Sequence, residues 1–294
     1  VDLRSLIPII ETSRDIEALS SCALKSDVEV TIPAPLGAVP ALLAAVESNS
    51  SIKAALTVVV VPSGRDADDL ASSLGAYLPS NAVEVFPAWE TLPHERLSPR
   101  SDTVARRLYA LRRLAHPEEF FDELRVLIVP VRALLQPIVA GLGEMEPVRL
   151  LVGDFADFAK VQEKLTACAY SRVDMVESRG QFAVRGGIID VFPPIEQHPL
   201  RIEFFGDEVE TIRTFAVADQ RSMEPRNQVY APPCREILLN DTVRARAAAA
   251  LTQFPGAADM LARLAEGIAV EGMESLAPVL VESMHSLVQE FPED

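Results

Sequence analysis

The run Leu56-Thr57-Val58-Val59-Val60-Val61, closed by Pro62-Ser63-Gly64, is the strongest single constraint on how this chain folds. An almost unbroken apolar stretch has no face to give to water. Such a strand suits a parallel sheet covered on both sides, whereas a strand with one wet face alternates. The residues that follow fit a crossover helix. Ser63 and Asp66 stand at capping-box spacing, and Asp68 and Asp69 fall in the first helical turn, near the positive end of the helix dipole. A helix to about Leu78 is expected. Val83–Phe86 and Val126–Val129 read as two more short strands. Between them, Ser101-Asp102 opens a helix whose apolar positions Val104, Leu108 and Leu111 recur at i, i+4, i+7. Strands alternating with helices predict a parallel, helix-covered sheet.

The pattern changes near residue 148. Phe155 to Thr166 reads as a helix. Short segments follow at Val173–Val176, Phe182–Arg185, Ile188–Phe192, Leu200–Phe205 and Val209–Phe215, punctuated by Gly180, Gly186, Gly187, Pro193, Pro194 and Gly206-Asp207. Alternating segments joined by tight turns predict antiparallel strands in an α+β unit. Pro232-Pro233 reads as the exit linker. Asp241–Leu251 and Ala257–Leu264 read as helices.

Composition narrows the function classes. With 294 residues and about 150 per domain, about two domains are expected. There are 27 basic and 43 acidic residues, a formal net charge of −16. That field opposes a general nucleic-acid coat or a polybasic membrane binder. Cys22, Cys168 and Cys234 lie far apart with no CxxC spacing, so they read as buried thiols in a reducing compartment. His94, His116, His198 and His285 are scattered and form no HExxH, which argues against a histidine metal site. No apolar run approaches the roughly 20 residues that span a bilayer, and no signal peptide opens the chain. The reading is cytoplasmic, with no membrane partner.

Catalytic motifs are missing. The only lysines are Lys25, Lys53, Lys160 and Lys164, and none follows a glycine. The phosphate-cradling GxxxxGK[ST] loop is therefore absent. Asp122-Glu123-Leu124-Arg125 and Asp207-Glu208-Val209-Glu210 mimic an acidic DExx motif but have no phosphate cradle to serve, and Asp207-Glu208 suits a hairpin turn. No GxSxG occurs. No catalytic residue, cofactor or metal is expected.

Two surfaces qualify as binding sites. Arg96, Arg100, Arg106, Arg107, Arg112 and Arg113 form a basic cluster downstream of Trp89. It reads either as a candidate nucleic-acid patch of phosphate contacts or as a solvated helix face paired with acids such as Glu118 and Glu119. The second surface lies in the α+β unit. In Leu200–Phe205 the period of two sends Leu200, Ile202 and Phe204 one way and Arg201, Glu203 and Phe205 the other. In the preceding segment Phe182 and Val184 share one face, and Ala183 and Arg185 the other. Within one sheet, Arg185, Arg201 and Phe205 would form an outward patch of protein-contact composition. The alternative has Phe205 ending its strand tucked under the Gly206 turn.

Long motifs carry a resemblance. Phe86-Pro87-Ala88-Trp89-Glu90-Thr91-Leu92-Pro93-His94-Glu95-Arg96-Leu97-Ser98-Pro99 is similar to a signature of the bacterial transcription-repair coupling factors, the Mfd family. So are Phe182-Ala183-Val184-Arg185-Gly186-Gly187-Ile188-Ile189-Asp190-Val191-Phe192-Pro193, the stretch from Pro199 to Glu208, and Gly272-Met273-Glu274-Ser275. The resemblance implies an α/β fold. It consists of a parallel-sheet, helicase-like domain with a degenerate P-loop NTPase-like site, interrupted by a smaller α+β insertion, as in UvrB. Residues 1–147 would be domain 1a, 148–234 the insertion, domain 2, and 235–294 domain 1b, the return to the first domain. The long DNA-clamping hairpin of UvrB is not expected, because only about 14 residues separate the Leu108–Leu111 helix from the next strand.

The resemblance further implies the N-terminal, non-catalytic module of a longer ATP-dependent DNA translocase. Domain 2 would bind UvrA in transcription-coupled nucleotide excision repair, recruiting it to stalled RNA polymerase. Matched motif to motif, its contact residues are Arg185, Arg201 and Phe205, with Arg172 and Glu203 as weaker candidates. RNA polymerase and DNA would be met by other domains of the parent chain. Its C-terminal domains would cover the UvrA surface, which is then expected to stand open in this chain. The rival readings are a DNA-binding or residual ATPase module, and a pure intramolecular docking scaffold.

Overall fold

The computed structural model describes residues 2–14, 16, 19, 29, 31–49, 56–92 and 95–292. Cys22, Lys25, Lys53, Pro93 and His94 lie outside the described residues. In chain order the regular elements are α1 (Ile7–Glu11), α2 (Val39–Ser48), β1 (Thr57–Val61), α3 (Gly64–Leu74), β2 (Val83–Val85), α4 (Ser101–Ala115), β3 (Val126–Pro130) and α5 (Val131–Leu135). There follow β4 (Ile138–Val139), β5 (Val148–Leu151), α6 (Phe158–Ala167), β6 (Ser171–Arg172), β7 (Gln181–Arg185), β8 (Ile188–Val191), β9 (Leu200–Phe205) and β10 (Glu208–Phe215). The last are β11 (Ser222–Arg226), β12 (Gln228–Ala231), α7 (Asp241–Ala250), α8 (Ala258–Ala265), α9 (Ala277–Leu280) and β13 (Met284–His285).

Contacts divide the chain into two compact units. One comprises residues 1–88, 113–136 and 286–294, the other 89–112 and 137–285, so the division falls inside α4. Residues 235–285 group with the α+β stretch, and Arg235, Ile237 and Gly267 line one groove with Gln162, Thr166 and Phe182.

The first unit holds a three-stranded parallel sheet of order β1-β3-β2. The crossover is capped as its sequence predicts: Ser63 Oγ accepts from the Asp66 backbone N–H at 3.2 Å and donates to Asp66 Oδ2 at 2.6 Å. The helix ends at Leu74, short of Leu78, and turns follow. Burial is distributed differently from expectation. The central β3 is buried throughout, while β1 lies at one edge and its Val60 is exposed. Leu74, Leu78, Val83, Val85, Val126 and Ile128 form the core beside Ala44 and Ala67.

The second unit is organised around a six-stranded sheet of order β11-β10-β9-β8-β7-β6. It is antiparallel except for β6, which runs parallel to β7. One face packs on the main core, where Phe182, Ile189, Val191, Leu200, Ile202, Val209 and Ile212 meet Val161 and Leu165 of α6 and Leu150 and Val229 of the β5–β12 pair. The other face carries a small cluster of Val176, Ala183, Phe192 and Phe215.

Several expectations change here. The helix begins at Phe158, because Asp157 caps it by accepting from Ala159 N and Lys160 N at 2.9 and 3.0 Å. Phe155 instead pairs with Glu208 as an antiparallel bridge. Val173–Val176 is irregular, not a strand. Pro232-Pro233 is buried rather than a linker, and the buried Tyr170 hydroxyl donates to the Pro232 carbonyl at 2.9 Å.

Candidate functional site

Strand parity sorts the side chains of the second unit. Leu200 and Ile202 are buried in the main core, and Phe204 packs against it, edge to face with Phe158 at 5.1 Å between centroids. Arg201, Glu203 and Phe205 face the opposite side. The register continues across the sheet: Ala183, Asp190, Arg201 and Arg213 form one row, and Arg185, Ile188, Glu203 and Thr211 the next.

At the centre of that face is Asp190, whose side chain is 2% exposed. Its Oδ1 accepts from Arg201 Nε at 2.7 Å. Its Oδ2 accepts from Arg201 Nη2 at 2.9 Å and from Arg185 Nη2 at 3.2 Å. This is a bidentate, charge-assisted pair with a second arginine on one of the same oxygens, a strong and directional arrangement. Arg201 Nη1 also donates to the Gln220 carbonyl at 3.1 Å, and the guanidinium lies 4.7 Å over the Phe215 ring. Its pKa is raised, chiefly by the hydrogen bond to Asp190, which outweighs the opposing effect of burial.

The two arginines therefore differ. The Arg201 side chain is 16% exposed and fully engaged, whereas that of Arg185 is 49% exposed. Phe205 stands at the end of β9, 77% exposed, and does not tuck under the turn. Gly206 and Asp207 make the two-residue hairpin loop, with Gly206 at φ 64°, and Glu208 already belongs to β10. Glu203 is half-buried opposite Ile188 and Thr211.

Arg172 stands apart from these residues. It is exposed on edge strand β6, in register with Phe182, whose side chain faces the other side of the sheet. There it lines a groove with Phe182, Gln162, Thr166 and Ile237.

The basic cluster is not a surface stripe. Arg107 is buried, its Nε donating to Glu236 Oε1 at 2.5 Å and its guanidinium 5.6 Å over Trp89. Trp89 Nε1 donates to the same Glu236 oxygen at 3.0 Å. Arg112 is buried and donates to the Gly143 carbonyl. Arg113 is buried, with Nη1 3.1 Å from Glu84 Oε1. Among the others, Arg100 forks onto Asp102, Arg106 is half-buried, and Arg96 is exposed in a loop at φ 51°. Three of the six guanidiniums are thus spent on interior partners, so a continuous row of phosphate contacts is not available on α4.

Sequence reasoning missed two residues at the Arg/Phe face: Asp190, which ties the arginines together, and Phe155, exposed beside Glu208. The signal for Phe155 was present, since Asp157 is a preferred N-cap residue and moves the helix start beyond it. Cys168 and Cys234 are buried and free, with burial pushing their pKa values up to about 11 and about 12. Among the described residues no group of His, Cys, Asp or Glu is arranged to hold a metal ion, and no helix is long and apolar enough to cross a membrane.

Residues 148–236 match the family model described as the UvrB interaction domain. The transcription-repair-coupling factor of Mycobacterium tuberculosis is 52% identical over 244 residues, covering 79% of this chain and 20% of that protein. Its counterpart in Myxococcus xanthus is 33% identical over 262 residues, covering 84% of the chain and 21% of the relative. That of Escherichia coli is 32% identical over 149 residues, covering 50% and 12%. The chain spans about a fifth of the length of the first two relatives. It belongs with the transcription-repair-coupling factors, as a homologue of part of their length that carries a UvrB interaction domain at residues 148–236.

Proposed function

We propose that this chain is a non-catalytic docking module that recruits UvrA in transcription-coupled nucleotide excision repair. The observation that carries the reading is an exposed Phe205 on the same sheet face as Arg185 and Arg201, inside the UvrB interaction domain. Aromatic and arginine side chains on a preorganised surface are the usual dominant contributors to protein–protein affinity. Arg185 and Phe205 meet the partner directly. Arg201 acts mainly by fixing the surface, and Glu203 borders it. The assignment of Arg172 is weakened by its position on the opposite side of the sheet.

The first unit serves as a scaffold. Its parallel sheet supports kinship with helicase-like domains, and the absence of any glycine–lysine phosphate loop supports loss of nucleotide binding. In this reading ATP-driven translocation, and contact with RNA polymerase and DNA, reside in other parts of a longer cytoplasmic parent protein. There the docking face awaits a stalled polymerase.

The test is binding of this chain to purified UvrA, wild type against an Arg185→Ala/Arg201→Ala/Phe205→Ala variant, with circular dichroism to check folding. Micromolar or tighter binding that the variant loses supports the module and its face together. No binding by the wild type returns the chain to an intramolecular scaffold. Binding of duplex DNA that weakens steeply with salt would favour the nucleic-acid reading instead.

A further inference from the structure

We infer that Phe155 is a second aromatic anchor of the docking face, and that this face fits a partner presenting a basic side chain between two apolar sockets. The inference rests on the docking function proposed above and extends its contact surface.

The geometry comes from backbone pairing. Residues 153–156 lie alongside the start of β10: Gly153 N donates to Val209 O at 2.8 Å, Val209 N to Asp154 O at 2.9 Å, and Ala156 N to Asp207 O at 2.7 Å. The last two bonds bracket the Phe155–Glu208 pair, so it is a non-hydrogen-bonded pair, the type in which side chains stand closest. On its other side Glu208 pairs with Phe205. Paired residues project from the same side of a sheet. Phe155, Glu208 and Phe205 therefore form one row across three backbone segments, with the carboxylate in the middle. The neighbouring pair, Val209 and Phe204, points into the main core, so the row points away from it.

Both rings are open to solvent, Phe155 at 82% and Phe205 at 77%. A single exposed apolar side chain needs no explanation. Here two phenylalanines flank one strand, and each is held by main-chain hydrogen bonds rather than by burial of its ring. The loop carrying Phe155 is also closed by Asp154, whose Oδ2 accepts from Leu151 N at 2.7 Å. The backbone that carries the two rings, and so the directions in which they project, is thus fixed before any partner arrives, which lowers part of the ordering cost of association. The same face continues through Glu203 to Arg201 and Arg185, so the aromatic row is continuous with the proposed interface. A partner covering it must satisfy Glu208 between two buried rings, which calls for an arginine or lysine there, and a carboxylate opposite Arg185.

The test measures binding of the whole 294-residue chain to purified UvrA for the wild type, Phe155→Ala, Phe205→Ala and Glu208→Lys. We expect each variant to weaken binding about tenfold or more, with an unchanged melting temperature, since none of these side chains is part of a core. Phe155→Leu should recover part of the loss. If Phe205→Ala weakens binding and Phe155→Ala does not, the anchor assignment is overturned while the docking function stands. If the wild type does not bind, the docking function falls and this inference with it. Sedimentation checks a second copy as occupant: a dimer abolished by Phe155→Ala, with UvrA binding unchanged, also overturns the assignment.

Discussion

Asp190 accepts both Nε and Nη2 of Arg201, at 2.7 and 2.9 Å, from a position almost closed to solvent. The carboxylate also holds Arg185, so one residue that a partner barely reaches sets the shape of the surface it meets. Removing it leaves two arginines without their counter-charge. Asp190→Ala is expected to cost about 2–4 kcal/mol of stability, less than a fully buried pair because the arginines are partly solvated. Urea unfolding measures this. Asp190→Asn, which keeps the shape and one acceptor, should cost less, yet still weaken UvrA binding by freeing Arg185 and Arg201 from their fixed geometry.

The pair Arg107–Glu236 is fully enclosed, at 1% and 0% side-chain exposure. Glu236 also receives the Trp89 indole N–H on the same oxygen. Glu236→Ala would take its carboxylate counter-charge from a buried guanidinium, with an expected loss of about 3–5 kcal/mol. The joint replacement Arg107→Met/Glu236→Leu removes both charges and should recover most of that loss. Unfolding curves for the single and double variants decide the point. A single variant as stable as wild type would mean the charge finds water or another partner.

Gly272 occupies left-handed space, φ 76°, and a Cβ there would land on the Arg96 carbonyl. Its N–H donates to Ser98 Oγ at 2.9 Å, and Ser98 donates in turn to Glu274, which pairs with Arg235 at 2.7 Å. Backbone approach, rather than flexibility, demands the glycine. Gly272→Ala is expected to lower stability by about 2–4 kcal/mol, through strain and the displaced Ser98 network. A melting temperature within a degree of wild type would show that the two loops separate freely.

Alkaline behaviour follows from buried acids that resist ionisation. Burial first, with smaller electrostatic effects, lifts Cys168 from 9.0 to about 11, Cys234 from 9.0 to about 12 and Tyr230 from 10.0 to about 12. Each group keeps its proton in the folded state at a pH where the unfolded chain has lost it. The stabilising effect is therefore complete below about pH 9 and is lost as pH rises towards 11–12. Melting temperatures measured from pH 8 to 11 should fall over the upper part of that range. Site-resolved alkylation at pH 8 should leave Cys168 and Cys234 unmodified until the chain unfolds, since the thiolate is the reactive form.

Much of the secondary structure was legible because it is written in local periodicity. The parity of Leu200–Phe205 is a property of six consecutive residues, and the strand keeps it. The Ser63 cap and the Asp241–Ala250 helix likewise need only neighbours a few positions away. The start of α6 was misplaced because apolar Phe155 fits a helical pattern as well as a strand-like one. The Asp157 cap two residues on argues for the second, and the pairing with Glu208, 53 residues on, decides it.

Local spacing, then, was enough for strands such as β7 to β10 and for the helices after Ser63, Ser101 and Asn240, for the apolar faces of β7 and β9, and for the absence of a phosphate loop. These depend on spacing along the chain. The tertiary structure decided which charges are surface and which are interior. Arg106 and Arg107 are adjacent in a basic run, yet Arg107 is buried because Glu236, 129 residues away, supplies its counter-charge. A guanidinium can leave water only where a partner and a hydrogen-bonding geometry are assembled around it, and that assembly is a property of the folded chain rather than of any local stretch.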